Sequence, residues 1–89
     1  MATIAESTTK TFNVVPGTRY TFGVAGTWDS MTGTLKWSDG TTDVTIQAFT
    51  ADGAVEFVVP GSATQVKFVT GADGTNAGSL IIGLSKVLN

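Results

Sequence analysis

Short segments of alternating apolar and polar residues, separated by turn-forming pairs, run along this chain from end to end. The clearest is Arg19–Ala25, in which an aromatic or branched apolar residue occupies every second position. Because successive side chains of a β-strand point to opposite sides, this period of two indicates a strand with one buried face. Residue pairs that favour tight turns recur about every 6–13 residues, namely Pro16-Gly17, Asp39-Gly40, Asp52-Gly53 and Pro60-Gly61.

This pattern predicts about seven strands, at Ser7–Val15, Arg19–Ala25, Gly33–Ser38, Asp43–Gln47, Ala54–Val59, Thr64–Thr70 and Leu80–Val87. Asp39-Gly40 predicts a hairpin between the third and the fourth strand. The last segment also fits one face of a helix, but its two Ile residues and Gly83 favour a strand that is central in its sheet or covered by a neighbouring subunit. The predicted fold class is all-β, a compact antiparallel β-sandwich or small barrel with a jelly-roll or Ig-like strand order.

The chain has 89 residues, enough for one small domain. We predict a single β-sandwich domain over residues 7–89 and a flexible N-terminal arm over residues 1–6, because the arm has no clear period and Ile4 is its one sizeable branched apolar residue. Ile4 and Ala5 form a short β-prone stretch that can add to the edge of another sheet. We therefore expect the arm to become ordered only against a shell or an adjacent subunit.

The charge pattern argues against nucleic acid and membrane partners. Five basic residues are scattered among seven acidic ones, which gives a net charge of −2 and no basic patch. The longest apolar stretch, Leu80–Leu84, is far shorter than the roughly 20 residues that a membrane-spanning helix needs. Without Cys or His, a disulfide is impossible and a zinc site is unfavoured, so oligomerisation is the remaining way for a small domain to gain stability.

The residues that carry catalysis are scarce. A Ser or Thr nucleophile needs a base, and the chain has no His. Lys36 and Ser38 lie two apart on one predicted strand, where an exposed polar row explains them better. Most carboxylates lie at turns, where Asp accepts hydrogen bonds from backbone N–H groups. We therefore predict a protein that is not an enzyme, with no catalytic residue, no metal ligand and no cofactor.

Residues for contact with other proteins are easier to find. Thr accounts for 16 of the 89 residues, which favours strands whose polar faces stay wet without charge. Trp28 and Met31 lie in one predicted loop, and loop Trp residues are enriched at interfaces. A second interpretation makes Trp28 a plug at one end of the sandwich, and a third makes it a platform for stacking carbohydrate. The predicted interface residues are Ile4, Ala5, Trp28, Met31, Leu80 and Ile82.

The sequence resembles small virion proteins of tailed bacteriophages. The motifs that carry the resemblance are Phe22-x-Val24-x-Gly26-Thr27-Trp28, Gly33-Thr34-x-x-Trp37-Ser38-Asp39-Gly40 and Phe49-Thr50-Ala51-Asp52-Gly53, followed by Phe57, Pro60-Gly61 and Gly71-Ala72. The similarity covers roughly Phe12 to Leu84. It implies a structural β-module, such as a capsid decoration (cement) protein or the base of a head fibre, often trimeric.

On this resemblance we expect a protein that stabilises the phage head shell. Its partners would be copies of itself, with a homotrimer favoured, and the phage major capsid protein. Its location would be the virion, on the head surface, after assembly in the host cytoplasm. The alternative is a carbohydrate- or receptor-binding β-module of a fibre or tail, with Trp28 and Tyr20 as stacking platforms and Asp29 and Ser30 hydrogen-bonding to hydroxyl groups.

Overall fold

The computed structural model describes residues 2–28, 30–71 and 78–87, and these residues form strands, turns and loops without a helix. Eight strands follow one another along the chain: β1 (Ala2–Ala5), β2 (Thr9–Asn13), β3 (Arg19–Thr27), β4 (Gly33–Ser38), β5 (Asp43–Phe49), β6 (Gly53–Val58), β7 (Gln65–Thr70) and β8 (Ser79–Lys86). Seven of them overlap the seven segments that the alternation predicts. The predicted hairpin between β4 and β5 is present as well.

The strands form two four-stranded antiparallel sheets. The first sheet has the order β1-β8-β3-β6, and the second has the order β2-β7-β4-β5. Successive strands cross between the sheets at most connections, which gives the paired Greek keys of an eight-stranded jelly roll. The predicted β-sandwich is therefore confirmed, and of the two strand orders left open by the sequence this is the jelly-roll one.

The eighth strand is β1, which lies where the sequence predicts a flexible arm. Its four residues pair with β8, and Ile4 lies opposite Leu80. Only 3% of the surface of Ile4 is exposed, so its side chain belongs to the core of its own chain. A segment too short to make its own core is ordered here because β8 offers it a sheet edge and an apolar space beside Leu80. This finding replaces the predicted arm.

The core lies between the sheets and is centred on three phenylalanines from three strands. Phe22 of β3 in the first sheet contacts Phe68 of β7 and Phe49 of β5 in the second, with ring centroids 5.0 and 5.8 Å apart. Phe22 and Phe68 are fully buried. Such tilted aromatic contacts add to the burial of apolar area. The apolar strand β8 lies between β1 and β3, the central position that its composition predicts.

Two turns form as their sequences predict. Gly17, after Pro16, has a φ of +76°, and its N–H donates to the carbonyl of Val59 at 3.1 Å. This bond ties the turn to the neighbouring connection between β6 and β7. In the β4–β5 hairpin, one carboxylate oxygen of Asp39 accepts from the N–H groups of Thr41 and Thr42 at 2.9 and 2.8 Å. The carboxylate therefore closes a turn, as expected for Asp at such a position.

A β-bulge interrupts the pairing of the edge strand β5 with β4. The register shifts between Leu35 and Lys36, so that Gln47 and Thr45 are their respective partners and Ile46 is the extra residue. Ile46 packs partly against the core, while Val44 is 39% exposed. Bulges at sheet edges disrupt a regular row of backbone groups and so oppose pairing with another chain.

Candidate interaction surfaces

Most of the predicted interface residues are part of the chain's own core. Ile4, Met31, Leu80 and Ile82 are each at most 3% exposed. Ala5 is exposed and Trp28 is half-buried. The prediction of contact residues is thereby corrected: four of the six side chains fill the space between the two sheets and do not reach the surface of this chain.

Trp28 is held by its own chain. Its Nε1–H donates to a carboxylate oxygen of Asp52 at 2.8 Å, and the same oxygen accepts from the backbone N–H of Gly26 at 3.0 Å. The indole also packs partly against the core. Because its polar atom and much of its surface are engaged, this geometry agrees best with the interpretation of Trp28 as a plug at one end of the sandwich.

Of the other residues proposed for carbohydrate binding, Tyr20 is not available for stacking. Tyr20 is only 7% exposed, and its hydroxyl accepts from the N–H of Val15 at 2.8 Å. It is therefore no open stacking platform. Ser30 is exposed, and Asp29 lies outside the described residues.

The outer side of the first sheet carries an uncharged surface that the sequence analysis missed. We call it the uncharged face; its residues are Thr3, Thr21, Gly23, Ala25, Ala54, Ile81, Gly83 and Ser85. They alternate with the buried residues of β3 and β8, and all of them are exposed or half-buried. Two charged residues lie on the same side of the sheet at one end of the face: Glu56 is in register with Thr21, and Arg19 is in register with the exposed Val58.

Ile81 is the main apolar residue of the uncharged face. It lies in register between Thr3 of β1 and Ala25 of β3, and 48% of its surface is exposed. Beside this row, Gly83 pairs with Gly23, which pairs with Ala54, so the side chains around Ile81 are small. Ile82, the residue predicted from the sequence, lies one position away and on the opposite side of the sheet.

The outer side of the second sheet has a different character. We call it the charged face; its residues are Thr9, Thr11, Thr34, Lys36, Asp43, Thr45, Ala48, Lys67 and Val69. Lys36 and Lys67 are direct cross-strand neighbours, and the Nζ atom of Lys67 lies 3.5 Å from Asp43. A hydrogen bond from Ser38 and, to a smaller extent, the charge of Lys67 lower the pKa of Asp43 against the opposing effect of burial.

An open groove of about 980 Å³ lies beside β2, β3 and β8. Its lining includes Lys10 and Phe12 from β2, Tyr20 from β3, and Ile82 and Leu84 from β8. Its volume falls within the range that is typical of ligand sites. The lining also includes six residues of the uncharged face, namely Thr21, Gly23, Ala25, Ile81, Gly83 and Ser85. The groove is thus continuous with that face and extends it to Lys10 and Phe12 of β2.

The described residues offer binding surfaces more readily than catalytic chemistry. No group of three or more acidic, His or Cys residues is placed to hold a metal ion in the described part of the chain. Ser38 is 1% exposed, and its Oγ accepts from the N–H of Gly40 at 3.1 Å, so this hydroxyl supports the hairpin. Among residues 2–28, 30–71 and 78–87 there is also no helix with the length and apolarity to cross a membrane.

Comparison with family models, with curated proteins and with solved structures finds no match to this chain. The resemblance to phage virion proteins therefore stays a prediction from the sequence.

Proposed function

We propose that this protein is a non-enzymatic structural protein of a phage virion, a decoration protein that sits on the head shell and stabilises it. The observation that carries the proposal is the uncharged face on a jelly-roll domain. Jelly rolls recur in viral capsid proteins and in lectins, so the fold alone leaves the function open. The uncharged face favours a structural protein over a lectin, because it suits contact with another protein surface.

A surface without charged side chains costs little free energy to cover. Removing a charged side chain from water is expensive unless it finds a well-placed partner. The rows around Ile81, Gly23 and Gly83 contain no charged residue, so a partner can cover them without that cost. Repeated seating on a symmetric shell lets many modest contacts act together. Assembly into a trimer would bury further sheet edges of a domain this small.

Carbohydrate binding is the less favoured function. Trp28 is bonded to Asp52, and Tyr20 is buried with its hydroxyl occupied. Both aromatic residues would have to leave their contacts before a sugar could stack on them. A glycan array supports this alternative only if the protein binds and if Trp28→Ala abolishes the binding while the fold survives.

The proposal is tested on virions of the phage that encodes the chain. Mass spectrometry should detect the protein in purified particles, and electron microscopy should show surface density that disappears when its gene is deleted. Sedimentation velocity of the isolated protein should give a trimer. Particles that lack the protein in both analyses would contradict the proposed function, and a monomer would contradict the proposed assembly.

A further inference from the structure

Strand β6 is an edge strand of the first sheet, and it lies in the middle of the chain with described residues before and after it. Its six residues pair with β3 in an unbroken register from Val24 to Arg19. The surface of Val58 is 55% exposed, and Ala54 and Glu56 are exposed as well. The outer edge of this strand is therefore open among the described residues.

The backbone groups of every second residue of β6 point away from β3. The N–H of Val59 donates to the carbonyl of Thr18 at 3.0 Å, which continues the register of the two strands. Because hydrogen-bonded and non-hydrogen-bonded pairs alternate in an antiparallel ladder, Ala54, Glu56 and Val58 occupy the non-hydrogen-bonded positions. Their N–H and C=O groups are thus directed to the open edge, where a further strand can pair with them.

The edge of β6 is more regular than that of β5, the edge strand of the second sheet. The pairing of β5 with β4 shifts at a bulge between Leu35 and Lys36. β6 has neither a bulge nor a Pro or Lys residue, and Glu56 is its one charged residue. Native proteins commonly interrupt or charge the edge strands that stay exposed. β6 therefore has the regular edge that a partner strand requires, with one charge to accommodate.

The side chains beside this edge are complementary to those of a second copy. In a twofold, antiparallel pair of β6 strands, Glu56 can lie opposite Val58 of the second copy. Arg19 of that copy is in register with its own Val58, on the next strand. Each Glu56 would then cover an exposed valine and reach toward an arginine. A slide of one strand by two residues would place the two Glu56 carboxylates opposite each other, which is unfavourable.

We propose that β6 pairs with β6 of a second copy of this chain, so that the two first sheets, of four strands each, form one continuous sheet. Glu56 and Val58 of each copy would exchange about four backbone hydrogen bonds with those of the other. The two uncharged faces would lie side by side on one surface, because paired strands share their faces. The contact goes beyond the proposed function: it is twofold, separate from the proposed trimer, and requires no virion.

The test is amide hydrogen exchange of the ¹⁵N-labelled protein, measured by NMR at about 0.05 mM and about 2 mM. The contact is small, so we expect it at roughly millimolar concentration in solution and at lower concentration where a shell holds chains side by side. The amides of Glu56 and Val58 should exchange at least about twofold more slowly at the higher concentration. The amides of β5 are the internal control and should exchange equally at both.

Two kinds of variant identify the contact. Glu56→Pro removes an N–H that does not bond to β3, so the fold should survive while the concentration dependence disappears. Glu56→Arg would face Arg19 of the second copy and should weaken pairing about fivefold, and its combination with Arg19→Glu should restore pairing. Lys36→Glu, on the charged face, is the matched control and should leave the concentration dependence unchanged.

Three results would overturn the proposal. The first is exchange at Glu56 and Val58 that does not depend on concentration. The second is a folded Glu56→Pro variant that keeps the concentration dependence of the parent, since pairing through this edge would then not contribute. The third is a concentration dependence centred on Ile81, because two copies would then meet through the uncharged face. All of these measurements use the isolated protein, so failure of the proposed function would leave them unchanged.

Discussion

The outer faces of the two sheets differ in the number of charged side chains that they carry. The uncharged face of the first sheet surrounds Ile81 with Thr, Ser, Ala and Gly residues. The charged face of the second sheet carries Lys36, Lys67 and Asp43. A partner can therefore cover the first sheet with little cost of desolvating charge, whereas the charged side chains of the second sheet favour contact with water.

The difference shows how a domain with few charges can distribute them. Covering Lys36 and Lys67 with a partner would require desolvation of two adjacent cations, and of these two Lys67 is the one within ion-pair distance of Asp43. Covering Ile81 and Ala25 requires no such compensation and buries an exposed apolar side chain. We infer that the first sheet faces the partner and that the second keeps the assembly soluble.

The largest expected effect on the free energy of unfolding distinguishes the buried side of the first sheet from its exposed side. Ile4→Ala removes a buried side chain from the core and should lower the free energy of unfolding by about 2–5 kcal/mol. Ile81→Ala, on the exposed side of the neighbouring strand, should change it by less than about 1 kcal/mol. Chemical denaturation of both variants measures the difference. Equal stabilities would mean that β1 is not part of the folded domain.

Two glycines, one in each sheet, compare how tightly the two sheets are packed, with a smaller expected effect on stability. A Cβ on Gly33 of β4 would overlap the ring of Phe68, which is fully buried, so Gly33→Ala should destabilise by about 1–3 kcal/mol. A Cβ on Gly23 of β3 meets no atom within 4 Å. Gly23→Ala should therefore stabilise slightly, by about 0.5 kcal/mol. Thermal unfolding that ranks the two variants in the reverse order would contradict this packing.

The pH dependence of stability should come from the second sheet. Backbone N–H groups of Thr41 and Thr42 lower the pKa of Asp39, and a hydrogen bond from Ser38 followed by the charge of Lys67 lowers that of Asp43. Because both pKa values lie below the unfolded value of about 4, their stabilisation is present above that pH and is lost as the pH falls through the folded values.

The double variant Asp39→Asn with Asp43→Asn checks the sign of this effect. Its unfolding midpoint should fall less than that of the parent between about pH 5 and pH 2. The effect should be small, since both carboxylates are exposed to solvent. A parent protein that gains stability over this interval would show that the assignment is wrong.

The alternation of side chains predicts the strands well because each strand buries one face locally. The structure gives β4 the predicted bounds, Gly33–Ser38, and places Leu35 in the core. The strand order could not be predicted, since it depends on which edges meet after several connections. β1 was missed for the same reason: Ile4 acquires its environment from β8, which lies far away in the sequence.

The binding surfaces were harder to predict than the fold. A shift of one residue along a strand moves a side chain to the other face, so the choice between Ile81 and Ile82 needs the register with β3. The apolar stretch Leu80–Leu84 of β8 hides that register, because it shows no alternation of apolar and polar residues. The groove combines residues of β2, β3 and β8, which lie far apart in the sequence, so no local pattern indicates it.

The most direct test of the account compares two exposed alanines, one on each face. Ala25 lies beside Ile81 on the uncharged face, and Ala48 lies beside Thr34 on the charged face. On the proposed function, phage head shells prepared without this protein are incubated with the Ala25→Asp or the Ala48→Asp variant, and co-sedimentation measures attachment. Both variants should keep the thermal midpoint of the parent within a few degrees.

Ala25→Asp should weaken attachment about tenfold or more, because the new carboxylate would be desolvated at the contact. Ala48→Asp should stay within about twofold of the parent, because the charged face remains in water. If Ala48→Asp abolishes attachment and Ala25→Asp does not, the second sheet is the contact surface and the central claim is contradicted.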